Sequence, residues 1–327
     1  MRVAVLRGGR SSEHEVSLRS GASVAAGLTE AGHEVVDIVV ERNGRWISDG
    51  AEVEARPGGG LLDCDVAFPV MHGPYGEDGT VQGALEVLGI PYAGPGVLAA
   101  ATTIDKLTFK RLLADRGIPQ VDFCQAHLPG SGGDPDWRER VAELGLPVWV
   151  KPSRLGSSVG IVKVEDLADL DVAVREAAKH DPRVIVEAHC DGLEIECSVL
   201  GNAEPQASLP GEIDAHADWY DYEAKYEEGG MDLVVPARIP EEVAEQVRSL
   251  AVDVFSALDC TGLARCDFFV TADGQVLVNE LNTLPGFTET SVYSRLFEAS
   301  GIAYPELCDR LIKLGLERAE TQKQYEF

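Results

Sequence analysis

Residues 265–286 read RCDFFVTADGQVLVNELNTLPG, and the rest of the chain is organised around them. Two β-rich runs, CDFFVT and QVLVNEL, flank Asp273-Gly274, a pair typical of tight turns between strands. A two-residue turn there sets Asp267 opposite Glu280 and Arg265 opposite Asn282. Side chains on a strand repeat every second residue, so all four then share one face. Two facing carboxylates repel, and a hard cation with oxygen ligands relieves the repulsion. A solvated hairpin face whose acids pair with Arg265 fits the same pattern, so the hairpin alone leaves both readings open.

Bulk properties narrow the classes. A chain of 327 residues has room for about two domains, or three small ones, with ample core. With 45% hydrophobic and 25% charged residues the composition is that of a globular protein. A formal net charge of −27 argues against nucleic-acid or anionic-membrane partners, which are themselves negative. It leaves room for an anionic nucleotide held by a few local lysines and a metal. Seven cysteines are scattered without a CxxC pair, which fits reduced thiols in the cytoplasm better than a disulfide frame or a zinc site. No apolar run reaches membrane-spanning length and the N-terminus begins at once with a strand, so neither a secretory signal nor a span is expected.

From the N-terminus, Val3–Leu6 reads as a buried strand. A helix follows from about Glu13 to Ala31, and EVVDIVV supplies the next strand, giving a βαβ opening. Gly8-Gly9 is not a dinucleotide fingerprint. Ser12-x-x-Glu15 matches a capping box, and Glu15 at a loop-to-helix edge also suits a substrate ammonium. The loop HGPYGEDG (72–79) carries three glycines that let backbone approach a ligand, and His72 as a donor. IPYAGPGV reads as an interdomain connection. Asp105 caps a helix over Lys106–Arg116, yet Lys106 sits in the first turn, where the helix dipole disfavours a cation, so either an anion lies nearby or the lysine is simply solvated.

Lys151 ends the apolar strand LPVWVKP, and Gly156-Ser157-Ser158-Val159-Gly160 follows it. Small residues expose backbone N–H groups and hydroxyls, as a phosphate cradle requires, although the order is not that of a Walker loop. A hairpin tip is the alternative. Glu187 and Glu194 bracket a short connection between two strands, suited to an adenine and ribose or simply to water-facing acids. Residues 212–233 are polar, acidic and aromatic, the composition of a lid, with Lys225 and Tyr226 as its chemical tools. An amphipathic helix over Glu241–Leu258, closing helices from Leu296 and a frayed TQKQYEF tail complete the chain.

These motifs together resemble the D-alanine–D-alanine ligases of the ATP-grasp superfamily. The likeness rests on GGRSSEHEVS (8–17), HGPYGEDG (72–79), DK (105–106), KPSRLGSSVG (151–160), GLEIECSVLG (192–201), YDYEAKY (220–226) and GLARCDFFV…NELNTLPG (262–286). It implies an α/β fold with α+β elements: a βαβ substrate domain over 1–96, and central (97–187) and C-terminal (188–327) domains whose antiparallel sheets clasp ATP. By resemblance, Lys106, Lys151 and Lys225 hold ATP phosphates beneath Ser157 and Ser158, Glu187 addresses adenine and Glu194 the ribose. Ala188-His189-Cys190 departs from the aromatic and aliphatic residues the family puts at the adenine pocket, leaving backbone contacts there. Asp267, Glu280 and Asn282 bind two Mg²⁺ (or Mn²⁺) ions, and Arg265 with the Gly286 N–H holds the oxyanion. Glu15, His72 and Ser291 orient the two D-alanines, with Ser157 and Tyr226 linking substrate and lid.

The implied reaction joins two D-alanines through a D-alanyl phosphate, for peptidoglycan precursors, in a cytoplasmic homodimer. Ligases that take D-serine or D-lactate as acceptor are the neighbouring alternatives, and relatives that use lactate depart at the EAKY lid retained here. A non-catalytic ATP-binding regulator is the alternative from another class.

Overall fold

The computed structural model describes residues 1–128, 132–156, 159–215 and 231–326. The opening is the expected βαβ unit: β1 (Arg2–Gly8) and β2 (Glu34–Val40) run parallel, joined by α1 (His14–Glu30). β3 (Trp46–Ser48), β4 (Ala51–Glu52) and β5 (Val66–Pro69) complete a sheet of order β4-β3-β2-β1-β5. Pure apolar strands such as VAVL and VAFP are buried at its centre, as parallel strands covered on both faces must be. The capping box does not form. Glu13 occupies the N-cap without a side-chain cap bond, and Ser12 and Glu15 are exposed.

Three helices follow: α2 (Thr80–Leu88), α3 (Val97–Ile104) and α4 (Lys106–Asp115). Only residues 90–96 are the irregular connection expected of IPYAGPGV, because α3 begins at its final valine. Asp105 closes α3 and opens α4, its carboxylate accepting from the Thr108 N–H at 3.2 Å. Next, β6 (Phe123–Ala126), α5 (Trp137–Leu144), β7 (Val148–Pro152), β8 (Val162–Val164), α6 (Leu170–Ala177) and β9 (Val184–Ala188) build an antiparallel sheet of order β6-β9-β7-β8. Its core is its own, with Trp137, Val141, Val148, Val150, Val174 and Val186 packed together.

The last sheet contains β10 (Gly192–Gly201), β11 (Gln206–Ala207), β12 (Gly211–Ala215), β13 (Met231–Val234), β14 (Gly262–Thr271) and β15 (Val276–Asn282). The main path runs β13-β12-β10-β14-β15. α7 (Glu241–Ala257) covers one face through Val247, Ala251, Val254 and Phe255. α8 (Val292–Ala299) and α9 (Tyr304–Gln322) close the chain, so Thr321 and Gln322 of the supposed tail are helical. Residues 212–215 and 231–233, the two ends of the expected lid, are strand, with Glu212 facing Val234 and Ile213 facing Leu233. The remainder of that lid lies outside the described residues.

The first and last sheets share one core. Val3, Val5 and Phe68 pack with Leu263, Phe287, Tyr293 and Leu311. α9 approaches α1 so closely that a Cβ on Gly27 would lie 2.9 Å from the Tyr304 ring. Burial of this kind, at about 25 cal/mol per Å² of apolar surface, fixes the N-terminal loops over the ends of β14 and β15.

The β14–β15 hairpin carries the main surprise. Its turn is not two residues: Val270 pairs with Val276, and the Thr271 N–H donates to the Gln275 carbonyl at 3.0 Å. Ala272, Asp273 and Gly274 form the loop, with Gly274 at φ +82° supplying the left-handed position that a three-residue hairpin needs. That length would slip the pairing by one. A β-bulge at Asn279 restores it, so Asp267 does face Glu280 and Arg265 does face Asn282. The bulge has a packing cause. On a regular strand Val276, Val278, Glu280 and Asn282 would share a face, and the extra residue lets the valines stay in the core while the polar pair turns outward.

Candidate active site

The expected row of acids is longer by one. β10 lies on the other side of β14, and Glu196 pairs with Asp267. Three carboxylates, Glu196, Asp267 and Glu280, therefore run in register across β10, β14 and β15. Arg265 is clamped among them: Nε and Nη2 donate to the two Asp267 oxygens at 2.7 and 2.8 Å, and Glu196 Oε2 is 2.9 Å from Nε. Burial alone would disfavour the cation, yet Asp267 and Glu196 hold the Arg265 pKa well above its usual value. The acids do pair with Arg265, as the solvated-face reading required, but the pair is enclosed rather than washed by water. Asn282 turns its side-chain oxygen to the Leu284 N–H at 3.0 Å and so shapes the loop toward Gly286.

Lys106 faces this row. Its ammonium donates to the Leu155 carbonyl at 3.0 Å and stands 3.6 Å from Glu280. The dipole conflict at the start of α4 is thus answered by a carboxylate from the opposite sheet. Lys151, at the end of β7, pairs with Glu187 at 2.5 Å. Glu187 is buried and its second oxygen meets Lys110 of α4 at 3.2 Å. Although burial opposes ionisation, Lys110 and Lys151 bring the Glu187 carboxyl down to about 2. Glu194 is exposed two residues before Glu196 on the same strand, with Ala188 and Cys190 half-buried and His189 exposed nearby. His189 accepts from the Trp149 indole N–H at 3.2 Å, which gives that connection a tilted ring pair in place of a plain aliphatic floor.

The third wall comes from the N-terminal loops. His72 is buried, with Nδ1 2.9 Å from the Leu284 carbonyl and Nε2 3.1 Å from Ser20 Oγ. Because a carbonyl only accepts, the neutral ring protonated at Nδ1 satisfies both contacts, and burial lowers its pKa, keeping it neutral. His72 thereby ties the first sheet to the loop that carries Gly286. Ser291, the residue before α8, lies beside that glycine: a Cβ on Gly286 would be 3.3 Å from its hydroxyl oxygen. The Thr288 N–H donates to Ser291 Oγ at 3.0 Å.

Glu15 is not among these groups. It is exposed, and it pairs across the surface with Arg42 at 3.2 Å. The buried acid of that motif is Glu13, 5% exposed. Its Oε2 would lie 2.5 Å from a Cβ on Gly73 and 3.9 Å from one on Gly156; Glu77 Oε1 would lie 3.5 Å from the Gly156 point. Two carboxylates from separate loops thus converge under the loop that follows β7. Burial first, then Glu13, raises the Glu77 pKa well above the ordinary carboxylate value. Ser157, Ser158, Lys225 and Tyr226 lie outside the described residues.

Glu13, Glu77, Lys110 and Glu196 went unread in the sequence, although Glu13 and Lys110 each had a signal. Buried positions Val16, Ser17, Ser20 and Val24 put Glu15 on the outer face of α1, leaving Glu13 at its inner end. Lys110 interrupts the apolar stripe Leu107, Lys110, Leu113. Glu196 depends on a pairing between strands distant in sequence, which no local pattern shows.

Lys106 and Lys151 from the central part of the chain thus stand near an acid row with a clamped guanidinium from the C-terminal part, and His72 ties the N-terminal part to the same region. Family models described as D-ala D-ala ligase N-terminus and C-terminus match residues 2–95 and 112–313. The chain belongs to the D-alanine–D-alanine ligase family. The D-alanine–D-alanine ligase of Deinococcus radiodurans is 46% identical over 97% of this chain and 98% of its own length, and that of Geobacillus thermodenitrificans is 41% identical over 98% and 97%. The solved ligase of Coxiella burnetii superposes with a TM-score of 0.88 at 34% identity, covering 99% of this chain and 96% of its own. The VanG D-Ala:D-Ser ligase of Enterococcus faecalis reaches 0.84 at 32%, covering 96% and 99%. The ligases share the ATP-grasp fold, and the arrangement of sheets here is theirs.

Among the described residues, no three His, Cys, Asp or Glu side chains form a cage that would hold a metal unaided. Mg²⁺ asks for less, since it is commonly held by one or two carboxylates with phosphate oxygens and water completing the octahedron. Asp267 and Glu280 on one face, with Asn282 beside them, fit that demand.

Proposed function

We propose that this protein joins two D-alanines into D-alanyl-D-alanine at the expense of ATP, for peptidoglycan precursor synthesis. The observation that carries the proposal is the 3.6 Å approach of Lys106 to Glu280, which supports a lysine for phosphate and an acid for metal acting at one point. The near-full-length ligase relatives support it, and those at 41–46% identity favour D-alanine over D-serine as acceptor.

A carboxylate and an ammonium do not condense unaided, because the carboxylate oxygen leaves poorly. Transfer of the γ-phosphoryl group of ATP to the first D-alanine converts that oxygen into a phosphate leaving group. Lys106 and Lys151, with Lys225 from the lid, neutralise the anions brought together. Asp267, Glu280 and Asn282 would hold two Mg²⁺ or Mn²⁺ ions, whose positive charge would offset that of the phosphates. The second D-alanine's amine then attacks the acyl carbon, Arg265 and the Gly286 N–H meet the oxyanion that forms, and its collapse expels phosphate. Arg265 arrives there already oriented by Asp267 and Glu196, so little reorganisation is needed.

Glu13, rather than Glu15, addresses the ammonium of the first D-alanine, with Glu77 alongside and His72 holding the loop that carries Gly286. Ser291 orients the second. Ser157, Ser158 and Tyr226 close over the acyl phosphate and keep water from it. Glu187 and Glu194 address adenine and ribose, with backbone groups of Ala188, His189 and Cys190. The protein acts in the cytoplasm as a homodimer. D-alanine-dependent ADP release, with the dipeptide identified by mass, tests the proposal; ATP binding without turnover would refute it.

A further inference from the structure

Lys110 is a lysine of α4 with none of its side chain exposed. Its ammonium meets Glu187 Oε1 at 3.2 Å and donates to the Val121 carbonyl at 3.3 Å, with the Phe123 ring 5.8 Å away. Glu187 Oε2 meets Lys151 at 2.5 Å. One buried carboxylate is thus shared by two ammonium groups that differ in access: Lys151 keeps 16% of its side chain exposed, and Lys110 keeps none.

We propose that Lys110 is a positioning residue: it stays on Glu187 while Lys151 leaves that carboxylate for the nucleotide phosphate. A buried carboxylate stripped of its only cation is costly, and removing one partner of such a pair is far worse than never having built it. With Lys110 in place, Lys151 moves to the phosphate while Glu187 remains charged and compensated. Without Lys110, binding of the nucleotide would strand Glu187, which must then take a proton from solution. The other charged groups facing this set are Lys106 toward Glu187, Glu280 toward both lysines and Glu194 toward Lys151. None of these replaces Lys110: Glu280 and Glu194 are themselves acids, and Lys106 stands at Glu280 and donates to the Leu155 carbonyl. The inference rests on the proposed ATP site.

The test is calorimetric titration of the full-length protein with Mg-ATP, without D-alanine, in two buffers of different ionisation enthalpy at neutral pH. The wild-type protein should bind with no net proton uptake. Lys110→Met keeps the length and apolar stem of the side chain. It should bind at least about tenfold more weakly and take up about one proton per ATP, a linkage that a merely structural role would not create. In the Glu187→Gln background, Lys110→Met should change ATP affinity less than about twofold and uptake not at all, since no carboxylate is left to strand. That comparison also serves if the single variant fails to fold. Wild-type-like affinity and no uptake in Lys110→Met, or a further tenfold loss in the Glu187→Gln background, overturns the role of Lys110. Failure of the wild-type protein to bind ATP overturns the nucleotide site and this inference with it.

Discussion

Exchanging each acid of the SSEHE motif for its amide separates the two readings of the N-terminal loop. Glu13 is 5% exposed and converges with Glu77 beneath Gly156, whereas the Glu15 side chain is 67% exposed and its partner Arg42 is 57% exposed. A charge-assisted hydrogen bond in an enclosed site is worth about 1.5–3 kcal/mol, so Glu13→Gln should raise the KM for the first D-alanine by about 10- to 150-fold. An exposed ion pair is worth about 0–1 kcal/mol, and Glu15→Gln should leave that KM within about twofold and Tm nearly unchanged. Glu13→Gln should also not destabilise the fold, since it removes the charge that opposes ionisation of Glu77. Initial rates of ADP release over a range of D-alanine, beside thermal melts, read both quantities. A raised KM in Glu15→Gln with an unaffected Glu13→Gln would refute the assignment.

Glu280→Ala should cost turnover roughly a thousandfold, on the scale of a lost transition-state contact, while the melt stays near wild type because Glu280 faces the cleft. Steady-state rates and circular dichroism check both halves. Glu187 should contribute to acid sensitivity. Its folded pKa lies below the ordinary 4.5, at about 2, so its stabilisation is complete above 4.5 and is lost as pH falls toward 2. That difference corresponds to about 3 kcal/mol, and denaturant melts of Glu187→Gln should lack this part of the acid slope. Gly76→Ala should lower both stability and activity, because its Cβ would fall 2.1 Å from the Met71 carbonyl oxygen beside His72 and Glu77. An unchanged melting temperature would show that the loop relaxes at no cost.

Much of the fold was legible because local patterns carry it. Apolar runs marked the strands, Asp105 marked the start of α4, and Asp273-Gly274 marked the hairpin. The pairing of Asp267 with Glu280 was anticipated through a two-residue turn that does not exist. A three-residue loop and the Asn279 bulge offset one another. The conflict was visible in the sequence, since Val276 and Val278 share their parity with Glu280 and Asn282, which no regular half-buried strand tolerates. Glu15 was read through a capping-box spacing and a resemblance, while the helical periodicity that sets it on the outer face of α1 and leaves Glu13 at the inner end went unused. The role of Glu196 arises only when β10 pairs with β14, and the sharing of one core by the first and last sheets depends on α9 docking against Gly27 from more than 270 residues away. Contacts of that range leave no local trace.

The most direct test of the ligase assignment is to supply ATP and magnesium with D-alanine, D-serine, D-lactate or L-alanine in turn, and to measure ADP release beside the mass of any product. D-alanine alone should drive release, with one D-alanyl-D-alanine formed per ADP, and L-alanine should give none. ADP release that ignores the amino acid, or that requires D-serine or D-lactate beside D-alanine, would contradict it.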